Sequence, residues 1–175
     1  MAERPEFRFY PDAYANASNF EASERPCSIC EEPSGYRYIG SIYATEKPEV
    51  VCARCLSVGR LVEVCGRYVQ TNDIDYSDEP DSHLWQEVLS RTPGVCSFNP
   101  FIWPVIHGKP LAFVGCGDDQ RFMNIPEARL AMREAAEEMG WPADEPSGYF
   151  LMFKEIDGPR YRVAIASGFT PPSAS

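Results

Sequence analysis

Two cysteine pairs constrain this chain more than anything else in it: Cys27-Ser28-Ile29-Cys30 and, 21 residues later, Cys52-Ala53-Arg54-Cys55. Each Cys-x-x-Cys turn aims two sulfurs at one point, and four thiolates make a closed tetrahedral zinc site. The stretch between the pairs is slightly longer than is usual for two such knuckles, but it reads as a hairpin, so the pairs can meet. The expected cofactor is one structural zinc ion held by Cys27, Cys30, Cys52 and Cys55. Four sulfurs leave no position for water or substrate, so this metal holds the fold and does no chemistry.

A disulfide framework fits less well, because seven cysteines is an odd number. The opening MAERPEFRF has no apolar core after a basic stretch, and no run has the length a membrane span needs. The expectation is a soluble cytoplasmic protein whose thiols stay reduced. Cys65, Cys96 and Cys116 then read as small buried apolar side chains.

With 26 acidic against 16 basic residues the formal charge is −10. Four thiolates around a divalent ion make it more negative still. Such a chain repels phosphate backbones, so no nucleic-acid partner is expected despite the knuckles. Arg54, Arg60 and Arg67 could form a local basic patch, read first as a solvated helix face. The acid is concentrated in DIDYSDEPD, where Asp73, Asp75, Asp78, Glu79 and Asp81 occur without one base. That segment is either a solvated loop or a steering surface for a basic protein partner, with Tyr76 as an aromatic anchor. It lacks the glycine and closing glutamate of a calcium loop.

Along the chain, Phe7–Tyr10 suits an edge strand stopped by Pro11 and residues 12–26 read as a loop. Gly35–Tyr43 reads as strand, bend at Gly40, strand. Leu56 to Cys65 has helical spacing weakened by Gly59. Asp81 or Ser82 caps a helix striped by Leu84, Trp85, Val88 and Leu89 and ended by Thr92-Pro93-Gly94. Phe98–Trp103 is an aromatic loop and Leu111–Val114 a short buried strand. Pro126 opens a helix running to Met139, with Asn124 near its cap and Gly140 as its stop. Tyr149–Lys154 and Arg160–Ala166 flank the turn Asp157-Gly158, and the tail TPPSAS frays. The fold class is α+β: mostly antiparallel sheet with two or three helices and an N-terminal four-cysteine zinc-knuckle lobe at about residues 24–66. Residues 1–175 read as a single domain.

For catalysis the candidates are His107 with Cys96 or Cys116, and Asp118-Asp119. No spacing joins a nucleophile to a base and a third orienting group. Gly115-Cys116-Gly117-Asp118 lacks the pattern of a phosphate loop. A thiol- or metal-dependent enzyme using residues 96–119 is therefore the alternative to a non-catalytic binding protein.

Over residues 7–115 the chain resembles the CbrC family, bacterial proteins linked to colicin tolerance. The resemblance rests on F-R-F-Y-P-D at 7–12, both cysteine knuckles, G-Y-R-Y-I-G-S-I-Y at 35–43, R-T-P-G at 91–94, Trp103 and A-F-V-G at 112–115. That family also carries His/Cys-type residues after the tryptophan and a cysteine pair in the C-terminal strand-turn. Here those stretches read PVIHGKPL and KEIDG, so only the four knuckle cysteines carry over. Taken together with the acidic charge, the resemblance implies an immunity- or tolerance-type protein that binds and neutralises a basic toxin such as a nuclease domain. Asp73, Asp75, Tyr76, Asp78, Glu79 and Asp81 are the surface the charge pattern offers.

Overall fold

Pro5 and Pro11 bracket a segment too short to supply a strand ladder with donors. The computed structural model, which describes residues 4–15, 19–66, 69, 72–97, 100–142 and 147–165, has turns there instead of the expected edge strand. Tyr10 N–H donates to the Phe7 carbonyl and Ala13 N–H to that of Tyr10, at 3.0 and 3.1 Å. The chain packs as two compact units: Met1–Thr71 with Asp81–Cys96, and Asn72–Pro80 with Ser97–Ser175. The fold is mixed α+β, with four α-helices and mostly antiparallel strands among the described residues.

Unit 1 is short on regular structure. Strand β1 (Phe20–Pro26) pairs antiparallel with β2 (Pro33–Tyr38). β1 replaces part of the loop expected over 12–26. Its sequence, FEASERP, is largely exposed, so it carries no apolar alternation from which a strand could be read. No second strand follows Gly40 among the described residues, and 39–51 is irregular. Gly40 is needed there because a Cβ would collide with the Tyr38 phenol. After the second knuckle come α1 (Ala53–Ser57) and α2 (Arg60–Cys65), split at Gly59, whose φ of 84° is left-handed. That split accounts for one more helix than the sequence suggests. Helix α3 (Ser82–Arg91) is capped by Asp81, whose carboxylate accepts from the N–H groups of His83 and Leu84. Phe7, Tyr14, Phe20, Tyr36 and Tyr38 form a chain of ring contacts with centroids 4.7–5.9 Å apart. Tyr38 also receives the N–H of Gly94 on its oxygen at 3.1 Å.

Unit 2 is built on a sheet. β3 (Asp73–Ile74) runs parallel to β4 (Ile102–Trp103), and β5 (Val105–Ile106) turns back as β6 (Lys109–Pro110). β7 (Ala112–Cys116) pairs with the strand that follows the last helix, and a bulge between Phe113 and Gly115 uses a φ of 141° at Gly115. Helix α4 (Pro126–Met139) has Pro126 in its first turn and stops at Gly140, φ 66°. Its N-cap is Ile125, next to Asn124 as expected, and makes no side-chain cap bond. β8 (Phe150–Lys154) lies between β7 and β9 (Tyr161–Ile165). Residues Phe150 to Phe153 of β8 are all buried, as a strand covered on both faces must be. Phe150 and Met152 join Phe122, Ala128, Met132, Ala135 and Ala136 in one cluster. Phe153 meets Phe101, Trp103 and Phe113 with centroids 5.0–5.7 Å apart. Ala166 and the tail lie outside the described residues, as do Phe98 and Asn99. No helix among the described residues is long and apolar enough to cross a membrane.

Candidate metal centre

The first knuckle is a tight turn closed by backbone. Cys27 N–H donates to the Glu32 carbonyl at 2.9 Å, and Glu31 N–H to that of Cys27 at 2.8 Å. Ser28 ties this turn to the strand-like lead of the second knuckle: its N–H donates to Val50 O at 2.8 Å and its Oγ accepts from Val50 N–H at 3.1 Å. β2 holds the same lead from the other side, with Tyr38 N–H on Val51 O at 2.7 Å and an Arg37–Cys52 bridge. Cys52 then serves as N-cap of α1, its Sγ accepting from Cys55 N–H at 3.3 Å. The local fold therefore delivers two sulfurs from a turn and two from the first turn of a helix.

All four sulfurs lie within 4.8 Å of one another. Cys27 Sγ is 3.9 Å from Cys55 Sγ, and Cys30 Sγ is 3.8 Å from Cys52 Sγ. A tetrahedron of sulfurs about 2.3 Å from a central ion has edges of about 3.8 Å, so the spacing fits a metal. The electrostatics fit as well. Burial pushes the Cys27 thiol up, but donation to its sulfur from the backbone N–H groups of Cys52, Ile29 and Cys30 brings it down to about 7. Burial pushes the Cys52 and Cys55 thiols up as well, and there the neighbouring sulfurs reinforce it, so both end above the usual thiol range. Without a cation the four cannot all ionise; a divalent ion at their centre removes that conflict. The group can hold a metal ion.

Beside it lies an open groove of about 450 Å³ lined by Cys30, Glu32, Arg54, Cys55, Val58 and Arg60. Arg54 and Arg60 are exposed, and Arg67 lies outside the described residues. Nothing in the sequence marks Ser28 or this groove, because the partners are 22 or more positions apart.

The acidic segment splits between the units. In unit 2, Asp73 is in β3 and Asp75 caps a short 3₁₀ turn at Tyr76–Asp78, accepting from Ser77 N–H at 2.9 Å. That hydrogen bonding holds the Asp75 carboxyl below its usual range, and Arg162 adds to it. Tyr76 is 73% exposed, the most open of the large apolar side chains of the described residues. Glu79 is exposed and Asp78 half-buried, whereas Asp81 belongs to unit 1 as the α3 cap.

The catalytic candidates stay dispersed. His107, φ 51°, sits in the β5–β6 turn. Asp119 caps a 3₁₀ turn and pairs with Arg121 at 2.8 Å, while Asp118 packs against Gly148. Besides the four cysteines, no group of three or more His, Cys, Asp or Glu among the described residues could hold a metal. Cys65 and Cys116 are half-buried, and Cys96 is exposed, contrary to the expectation of a buried apolar residue. Its neighbours around the end of α3 do not cover it.

Comparison with known proteins places this architecture. Residues 4–158 match the model of an uncharacterised protein family, UPF0167. A UPF0167 protein of Mycobacterium bovis is 30% identical over 151 residues, covering 84% of this chain and 79% of its own length. One from Pseudomonas aeruginosa is 31% identical over 144 residues, covering 79% and 77%. No solved structure matches. These findings overturn the resemblance to the CbrC family, which is a different family, and leave the colicin-linked immunity role without the resemblance that suggested it. By a family match over most of its length, the chain belongs to the uncharacterised family UPF0167.

Proposed function

We propose that this is a non-catalytic binding protein of the cytoplasm, braced by one zinc ion on Cys27, Cys30, Cys52 and Cys55. The observation that carries the reading is the sulfur spacing of 3.8 and 3.9 Å, the edge length of a closed tetrahedral site. Zinc suits four thiolates without an open position, and such a site supplies folding energy instead of chemistry. Free thiols of this kind persist in a reducing compartment.

The partner in this reading is a basic protein. Tyr76, exposed among Asp73, Asp78 and Glu79, offers a rigid aromatic contact inside a negative field. Asp75 and Asp81 are spent on caps, so their carboxylates shape the surface more than they contact a partner.

The test has two arms. Elemental analysis of purified protein is expected to find one zinc per chain. Affinity capture at low salt is expected to retain a basic protein that leaves as ionic strength rises and is lost with Asp73→Lys/Glu79→Lys. Retention indifferent to salt and to those substitutions would sink the electrostatic reading. A metal-free, folded protein would sink the zinc reading.

A further inference from the structure

The four sulfurs are unequally protected. Cys27, Cys52 and Cys55 are 1%, 4% and 1% exposed, whereas Cys30 is half-buried. Cys30 and the buried Cys55 both line the groove with Glu32, Arg54, Val58 and Arg60, and Cys30 is the more open of the two. Arg54 and Arg60 form no ion pair among the described residues. Two guanidinium groups therefore line the wall of the centre at which a ligand sulfur meets an open space.

We propose that Cys30 is a modification site: the ligand thiolate that a hydroperoxide reaches first, with Cys52 completing a disulfide. This rests on the metal reading above, because a metal keeps the sulfurs as thiolates, the nucleophilic form. The Cys30 thiolate attacks the terminal peroxide oxygen. An S–O bond forms, the O–O bond breaks, and the sulfur gives up two electrons to the departing alkoxide. Arg54 and Arg60 supply N–H donors along the groove where that negative oxygen develops. Cys52 Sγ, 3.8 Å from Cys30 Sγ, then attacks the sulfenic sulfur. The S–S bond forms, the S–O bond breaks and hydroxide leaves. The metal loses two of its four ligands and is released. A dithiol returns two electrons and two protons and restores the centre.

The experiment uses the zinc-loaded full chain. tert-Butyl hydroperoxide is added in stoichiometric amount, zinc release is followed with a chromophoric indicator, and cysteine states are mapped by peptide mass spectrometry with a sulfenic-acid trap. The expected result is trapping at Cys30 ahead of Cys27, Cys52 and Cys55, zinc loss in step with a Cys30–Cys52 disulfide, and recovery on adding dithiothreitol and zinc. Val58→Trp, which narrows the groove without replacing a ligand, is expected to slow zinc loss several-fold. Arg54→Gln/Arg60→Gln makes the same test without altering the groove's apolar wall. Oxidation of all four ligands together, a first hit at another ligand, or rates unchanged in both variants would overturn the proposal. Protein purified without metal would overturn the zinc reading and this inference together. Uniform oxidation of metal-loaded protein would overturn this inference alone.

Discussion

Unit 1 builds with helices of five, six and ten residues and a single pair of strands, while unit 2 stacks a fourteen-residue helix and a three-stranded sheet around buried aromatic rings. Both bury large side chains, but the most buried strand, β8, and the longest helix, α4, belong to unit 2. Unit 1 buries Phe9, Val51, Leu56, Leu61 and Val88 and adds to them the cysteine turns at Cys27–Cys30 and Cys52–Cys55. A metal centre and burial are two ways to fix a chain: unit 2 relies on burial, and unit 1 joins burial to a cysteine group that can hold a metal ion.

The comparison breaks most severely if the metal is removed. A strong chelator, or Cys27→Ser or Cys55→Ser, is expected to unfold unit 1 at a loss on the order of 10 kcal/mol. Hydrogen exchange should show amides of residues 20–65 losing protection while those of β8 and α4 keep it. Equal protection in both units with and without metal would end the contrast. Next in size, Phe153→Ala removes a ring that touches Phe101, Trp103 and Phe113. It is expected to cost about 3–5 kcal/mol, read by denaturant titration, and to leave zinc stoichiometry unchanged.

A third difference is exposed by alkali. Burial pushes the Tyr38 and Tyr14 phenols of unit 1 up to about 12. A raised phenol stabilises the native state while protonated, so its contribution is whole below pH 10 and is lost as pH climbs from 10 to 12. For the well-buried Tyr38 that loss is about 2–3 kcal/mol. Unit 1 should open first in an alkaline titration followed by tyrosinate absorbance. Tyr38→Phe should flatten the dependence.

The smallest effect is local to unit 2. Arg160 holds the Glu155 carboxyl below its usual range across the β8–β9 turn, with Arg160 Nε 2.9 Å from Glu155 Oε2. A lowered carboxyl stabilises above about pH 4.5 and loses that contribution as pH falls further. Glu155→Gln should therefore lower Tm by only about 1–2 °C near neutral pH, and by less in acid.

What the sequence made legible is what local spacing encodes. The four cysteines, the helix between Pro126 and Gly140, the cap at Asp81 and the turn at Asp157-Gly158 each declare themselves within a few positions. Features joined across distance did not. β1 was hidden because both its faces meet water, and β3–β4 because two residues at 73–74 pair with two at 102–103. The groove beside Cys30 was hidden because Arg54 and Arg60 approach it from the far knuckle. The family resemblance failed for a related reason: short motifs in order, each unspecific apart from the cysteines, do not separate one family from another.

The interleaving of the two units has a consequence for how the protein is made. Residues 72–80 belong to unit 2, yet the chain returns to unit 1 for 81–96 before the rest of unit 2 follows. On the ribosome, β3 emerges long before its partner β4 exists, and the two cysteine turns are complete before the helix that finishes their unit. Metal capture can thus precede the end of translation, giving the nascent chain a fixed point while its hydrophobic half is still unsynthesised. For the same reason no single cut in the gene would release either half intact, so recombination can pass on the two architectures only as a pair.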